Sequence, residues 1–281
     1  MLDDPHADQQ DRPGSPGAER DAGRLRISLV VPARDEADRL PRCLASVAAQ
    51  TRQPDEVVVV DNGSSDATAR LAAAAGARVV HEPVRGIWPA AATGYDAATG
   101  DVIARVDADT VLPPDWLARV EHLMTADPAC DAVTGPGRFR GLRRVPAGIA
   151  HLLYMQTYFV LAGLALGGTP VFGSGFAVRA SAWRAARTAV HRDEDVHDDL
   201  DLSFHLRPGS VRYDDGLAVS ISARPFRSPG GMVLRLVRGW RSVVLHWPQQ
   251  GPWRAAGERV RARVRGLAAR TPAARRRPPA R

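Results

Sequence analysis

Val57-Val58-Val59-Val60-Asp61-Asn62-Gly63-Ser64-Ser65-Asp66 decides the fold class. Four consecutive β-branched residues make a strand buried on both faces, an acid ends it, and a Gly/Ser turn leads into the Ala-rich stretch 67–75. A buried strand followed at once by a helix is half of a βα unit, the building block of a parallel sheet. Ser64 or Ser65 is placed to cap that helix, and Gly76 to close it.

The same alternation continues on both sides. Ile27 to Val31 reads as the preceding strand, and a helix from about Ala37 to Gln50 puts Leu40, Cys43, Leu44 and Val47 on one face at i, i+3, i+4 and i+7. Downstream, Arg78 to His81 is a third strand and Ala90 to Ala98 a helix stopped by Gly100. Val102 to Val106 is a fourth strand ending at Asp107-Ala108-Asp109. A helix through Trp116 and Leu123 then leads to a strand near Ala132 to Thr134. The expected class is α/β, a mostly parallel sheet flanked by helices. Such sheets bind ligands beyond the carboxyl ends of their strands, where this chain places Asp35, Glu36, Asp61, Asp107 and Asp109.

Composition narrows the chemistry. The 281 residues are 44% hydrophobic and 25% charged, ordinary for a globular chain. All 38 basic residues are arginine, so neither a Schiff-base lysine nor the lysine of a P-loop is present. Gly173-Ser174-Gly175 continues to Ala177 and Val178 without a third glycine, which argues against a dinucleotide fingerprint. Cys43 and Cys130 stand alone and read as buried thiols in a reducing cytoplasm.

Four regions are expected: a disordered tail over 1–24 with no apolar signal segment, a catalytic domain over 25–223, an amphipathic helical extension over 224–253, and an Arg-rich tail over 254–281. From Arg224 onward, 15 arginines face one acid, Glu258, a surplus of 14 positive charges; the net charge of +7 therefore leaves the rest of the chain at minus seven. Such an arm is drawn to anionic surfaces. Val233 to Trp247 places Leu236, Val237, Trp240, Val244 and Trp247 on one helical face, with Arg235, Arg238 and Arg241 largely off it, which suits a cytoplasmic enzyme lying peripherally on the inner face of a membrane. Ile149 to Gly167 is apolar except for His151, Gln156 and Thr157 and contains Gly163-x-x-x-Gly167; it reads as a buried or interfacial helix, with a membrane span as the alternative.

Two acidic strings carry the candidate chemistry. Asp107 and Asp109 offer two carboxylates at a strand end to a hard divalent cation, with water and diphosphate filling its shell. Asp198-Asp199-Leu200-Asp201-Leu202 puts Asp198 and Asp199 at the start of a short helix whose Leu202 and Leu206 face the core. A carboxylate there can complement the helix dipole or act as a general base.

Together the strings resemble the family 2 glycosyltransferases, which adopt the GT-A fold. Val30-Val31-Pro32-Ala33-Arg34-Asp35-Glu36 matches that family's V-I-P-x-x-N-E, and Val58 to Thr68 its V-V-D-D-G-S-x-D-x-T. Gly100-Asp101-Val102-Ile103 leads into Asp107-Ala108-Asp109, Gly173 to Arg179 matches the acceptor-side glycine loop, and Asp198 to Leu202 matches E-D-x-D-L. The five strings keep the family's order over residues 26 to about 223. The resemblance implies a GT-A-type sheet and transfer of a sugar, with inversion, from a nucleoside-diphosphate-sugar to an acceptor hydroxyl. By it, Glu36 and Asp61 contact the base and ribose. Asp107 and Asp109 hold diphosphate and Mg2+ or Mn2+, Asp109 being the direct ligand. Asp199 is the general base, and Asp198 an acceptor-side carboxylate.

Arg224 and Arg227 follow the expected strand Ala218 to Ser222 and suit closure over the diphosphate, or form a solvated basic turn. The chain departs from the family at Asp35, in place of Asn, and at Ala91-Ala92-Thr93-Gly94, in place of A-x-N-x-G. Arg235 to Trp240 reads R-L-V-R-G-W rather than Q-x-x-R-W, which disfavours a polymerising synthase. No histidine after Asp199 stands at an obvious third-ligand position, and His246 reads as a core or interface residue. Two other functions fit parts of the chain. A sugar nucleotidyltransferase would need a basic loop where Arg34 stands beside Asp35 and Glu36, and a nucleic-acid-binding protein would rest on Arg259 to Arg281, which has no aromatic residue for base stacking.

Overall fold

The computed structural model describes residues 24–140, 155–191, 193, 195–223 and 237–246. Strands β1 (Ile27–Ala33), β2 (Glu56–Asp61), β3 (Arg78–His81) and β4 (Val102–Val106) alternate with helices α1 (Leu40–Ala48), α2 (Thr68–Ala74) and α3 (Ile87–Ala97). There follow α4 (Trp116–Ala126), β5 (Ala132–Thr134), β6 (Gly137–Arg140), α5 (Thr157–Leu166), β7 (Gly175–Arg179), α6 (Ala180–Ala186), α7 (Asp198–His205), β8 (Val211–Tyr213) and β9 (Val219–Ser222). A helix over 237–246, α8, ends the described chain.

The seven-stranded sheet runs β3-β2-β1-β4-β7-β5-β8, and β6 pairs with β9 in a separate ribbon. β1 to β4 are parallel, as expected; β7 runs antiparallel between β4 and β5. That reversal brings Gly175, at the start of β7, opposite Val106, at the end of β4. The glycine loop and the D-x-D string therefore meet at one rim. Every residue of β1 and β4 is buried, including Ile27, Leu29, Val31, Val102 and Ala104 in the core cluster. Each such aliphatic side chain contributes roughly 1.5–3 kcal/mol relative to exposure.

Helix α1 buries the four residues its periodicity selects, Leu40, Cys43, Leu44 and Val47, but begins at Leu40 rather than Ala37. The Glu36 carbonyl accepts from both Arg39 N and Leu40 N, so a turn occupies the first residues, and a proline sits in the first helical turn. Neither Ser64 nor Ser65 caps α2, which starts at Thr68 with no side-chain cap. Both are drawn instead to Asp35: Asp35 N donates to Ser64 Oγ, and Ser65 donates through N and Oγ to Asp35 Oδ1. Asp66 Oδ1 takes the Thr68 N–H in their place. Asp35 has a φ of 51°, a left-handed backbone that Asn and Asp tolerate best, so its substitution for the family's Asn preserves the turn.

Gly94 is required by packing. A Cβ there would lie 2.3 Å from Val30 Cγ1 and 2.9 Å from Val60 Cγ2, so only glycine lets α3 rest on β1 and β2. Its neighbour Thr93 hydrogen-bonds to Glu82. Of the run Ile149 to Gly167, residues 149–154 lie outside the described residues, and 157–166 form α5, closed by Gly167 at a φ of 63°. No helix among the described residues is long and apolar enough to cross a membrane. Cys43 and Cys130 are free and buried.

Candidate active site

The parallel register of β1 with β2 puts Ala33 beside Asp61, and β1 also pairs with β4, so Asp61 ends β2 while Glu36 and Asp107 follow the ends of the adjacent strands β1 and β4. Asp61 is buried; its Oδ1 accepts from Ser64 N, and His81 Nδ1 lies 3.1 Å from its Oδ2. Glu36 sits in the turn after β1, where its backbone N donates to Thr68 Oγ1 and its carboxylate pairs with Arg39 at 3.0 Å. These are the two carboxylates expected against base and ribose.

Asp107 is held through both oxygens. Arg105 Nη2 reaches its Oδ1 at 2.9 Å, and Ser174 Oγ donates to its Oδ2 at 2.7 Å. Asp109 lies two residues further on, partly buried, with its carbonyl held by Arg140 and the next residue, Thr110, donating to Ser174 O. The loop after β4 is thus fastened to the glycine loop before β7.

Helix α7 starts at Asp198, as its sequence implies, and Leu202 and Leu206 are buried. Asp199 Oδ2 accepts from Gly173 N and Oδ1 from Leu200 N, both at 2.8 Å. Those two bonds fix the carboxylate's orientation. Gly173 is where a side chain cannot be: a Cβ would stand 2.1 Å from Arg105 Nη1 and 2.9 Å from Asp199 Oδ2. Burial pushes the Asp198 carboxyl up, against the pull of Arg105, whose Nη2 is 3.1 Å from Asp198 Oδ2. Burial opposes the charge of Arg105, but Asp107 and Asp198 outweigh it and raise its pKa, so the guanidinium stays charged.

Arg105 is the site residue that sequence reasoning missed. It is 2% exposed in the middle of the Val102–Val106 strand and touches both acidic strings. The available signal was a lone charge inside an otherwise apolar strand, two residues before the D-x-D. His197 was also overlooked; it directly precedes α7, with Nδ1 3.7 Å from Asp199 Oδ1. Arg224 and Arg227 lie outside the described residues, as does the tail Arg259 to Arg281.

A divalent cation fits the electrostatics. Asp107 and Asp198 pair with the guanidinium of Arg105, Asp199 lies within its field, and Arg140 reaches the Asp109 carbonyl, so four carboxylates face two guanidiniums. The oxygen-only donors at Asp107 and Asp109 are those a hard ion prefers.

The sequence profile described as glycosyl transferase family 2 matches residues 28–183. An uncharacterised glycosyltransferase of Mycobacterium tuberculosis (strain ATCC 25618 / H37Rv) is 38% identical over 112 residues, covering 40% of this chain and 49% of that one. The undecaprenyl-phosphate 4-deoxy-4-formamido-L-arabinose transferase of Pseudomonas fluorescens (strain Pf0-1) is 34% identical over 148 residues, covering 47% and 42%. The chain thus spans less than half the length of these relatives. Among solved structures, glucosyl-3-phosphoglycerate synthase from Mycobacterium tuberculosis, in complex with Mn2+, uridine diphosphate and glucosyl-3-phosphoglycerate, superposes with a TM-score of 0.56 at 23% identity, covering 82% of this chain and 86% of that one. That likeness shows a shared GT-A fold. With the profile covering more than half of its length, the chain belongs to glycosyl transferase family 2.

Proposed function

We propose that the protein transfers a sugar from a nucleoside-diphosphate-sugar to an acceptor hydroxyl by single displacement with inversion, with residues 25–223 as the catalytic domain. The observation that carries this reading is the Arg105 bridge, which holds the donor-side Asp107 and the acceptor-side Asp198 against one guanidinium. Donor and acceptor carboxylates are thereby kept close enough to serve one reacting centre. Asp199 takes the proton of the acceptor hydroxyl, the freed oxygen attacks the anomeric carbon, and the bond to the diphosphate oxygen breaks. Asp198, paired with Arg105 at 3.1 Å, would accept a hydrogen bond from the acceptor. Asp109, with Asp107 behind it, would hold Mg2+ or Mn2+, which when bound offsets charge on the departing diphosphate. Glu36 and Asp61 receive the nucleoside. The solved relative's complex with Mn2+ and uridine diphosphate supports this donor class. Family membership favours this reading over nucleotidyl transfer or nucleic-acid binding.

Thermal melting against a panel of nucleotide sugars tests the donor assignment. One donor class should raise the melting temperature when Mn2+ is present, since a ligand at 100 times its Kd adds about 2.7 kcal/mol to stability. A flat response to every nucleotide sugar would overturn it.

The enzyme also works, on this reading, at an anionic membrane surface. Val160, Leu161 and Leu164 on α5 and Val237, Trp240, Val244 and Leu245 on α8 are exposed, Trp240 by 70%. Both helices pack inward on the same small cluster with Leu200 and Phe204, leaving those apolar faces outward. Exposed apolar area with a tryptophan suits the headgroup boundary, and each nearby arginine adds about 1 kcal/mol of attraction to anionic lipid. A relative named for undecaprenyl phosphate supports a lipid-linked acceptor. Sedimentation with liposomes checks this: binding should need anionic lipid, weaken in high salt, and fall when residues 254–281 are removed. No binding to any liposome would sink it.

A further inference from the structure

Four side chains outside the proposed reaction centre converge beneath α7. His191, from the loop after α6, Asp201 and His205, from α7, and His246, from α8, each present one ligand atom, all within 4.8 Å of one another. His191 Nδ1 is 2.9 Å from Asp201 Oδ1, His246 Nε2 is 3.2 Å from the same oxygen, and His205 Nε2 is 3.9 Å from it. His246 Nε2 and His205 Nε2 are 3.2 Å apart. A tetrahedral Zn2+ with bonds of about 2.0–2.1 Å sets its ligand atoms roughly 3.3 Å apart, so the observed edges bracket the ideal one.

The surroundings orient these atoms. His246 Nδ1 is 2.7 Å from the Ser242 carbonyl, which calls for a proton on Nδ1 and turns Nε2 inward as a lone pair. The ring is also stacked on Phe204, with centroids 4.3 Å apart and planes 3° from parallel. Asp201 is fully buried, and its Oδ2 already accepts from Trp88 Nε1 and His191 N, leaving Oδ1 to face the imidazoles. A neutral His246 therefore points a lone pair at a buried carboxylate oxygen 3.2 Å away. A cation between them removes that conflict.

We infer that His191, Asp201, His205 and His246 form a structural site for a borderline-soft divalent ion, Zn2+ by preference. Three imidazoles and one carboxylate select such an ion, whereas the all-oxygen D-x-D string selects Mg2+ or Mn2+. Four protein ligands close the coordination sphere, so the ion braces the fold and does not react with substrate. It would tie α8 and the loop at His191 to the helix that carries Asp198 and Asp199. The partly exposed His191 gives the ion its way in.

Metal analysis of the full chain, dialysed and then supplied with one equivalent of Zn2+, tests this. Wild-type protein and Asp109→Ala should each retain about one Zn2+ per chain, and His205→Ala/His246→Ala less than about a tenth of that. Co2+ added to metal-free wild type should give the intense visible bands of a tetrahedral site, a readout independent of whether the double variant folds. Weak octahedral bands, or Zn2+ lost from Asp109→Ala and kept by the histidine variant, would overturn the assignment. Melting of the wild type unchanged by Zn2+, with no metal retained, would overturn it too.

Discussion

Asp199→Asn lowers turnover on the order of 100-fold or more while donor affinity holds, the range expected when a general base is lost. The change is nearly isosteric, but it is not silent for stability. Both Asp199 oxygens accept backbone N–H bonds, from Gly173 and Leu200, and an amide offers only one acceptor. One N–H is left facing an NH2 group, at a cost of about 1–3 kcal/mol if it stays buried. Turnover is therefore to be compared on protein shown to be folded by circular dichroism, and donor binding measured by melting with and without the nucleotide sugar. Wild-type turnover in the variant would remove Asp199 from the mechanism and make Asp198 the first candidate.

Local pattern and distant contact separate what the sequence discloses from what it hides. The strand Glu56–Asp61 and the buried face of α1 follow from periodicity, which depends on near neighbours and on a core that must be apolar. The rim at Asp61 and Asp107 follows too, because parallel strands put their carboxyl ends on one side. Ser64 and Ser65 mislead for the opposite reason: their partner is Asp35, about thirty residues away, and it outcompetes the helix end nearby. Arg105 and the three histidines around Asp201 were hidden in the same way. Arg105 meets Asp198 across more than ninety residues, and Asp201 meets His246 across forty-five. His246 by itself does read as a buried residue, and it is one, at 2% exposed. Nothing in its own segment announces the company it keeps.

Asp109→Ala should abolish metal-dependent donor binding, and with it turnover, more completely than its neighbour's geometry alone would suggest. Asp107 has one oxygen on Arg105 and the other on Ser174, so its role is to hold the loop and to temper the buried guanidinium. Asp109, partly buried two residues further on at the end of β4, is the proposed direct ligand of the cation. Chelation of the wild type should likewise remove activity, and Mg2+ or Mn2+ should restore it. The His191–Asp201–His205–His246 cluster complicates that experiment, since a chelator can strip an ion from there as well. The two losses are told apart by what is added back. Recovery with Mg2+ or Mn2+ on protein that still contains its Zn2+ assigns the effect to Asp107 and Asp109, whereas recovery with Zn2+ alone assigns it to the brace under α7. The comparison of variants gives the same separation, because Asp109→Ala should lose Mn2+-dependent stabilisation by the nucleotide sugar while melting normally without ligand. Full activity in excess chelator, on protein shown by elemental analysis to be metal-free, would sink the catalytic cation and leave Arg105 as the buried positive charge between the two acidic strings.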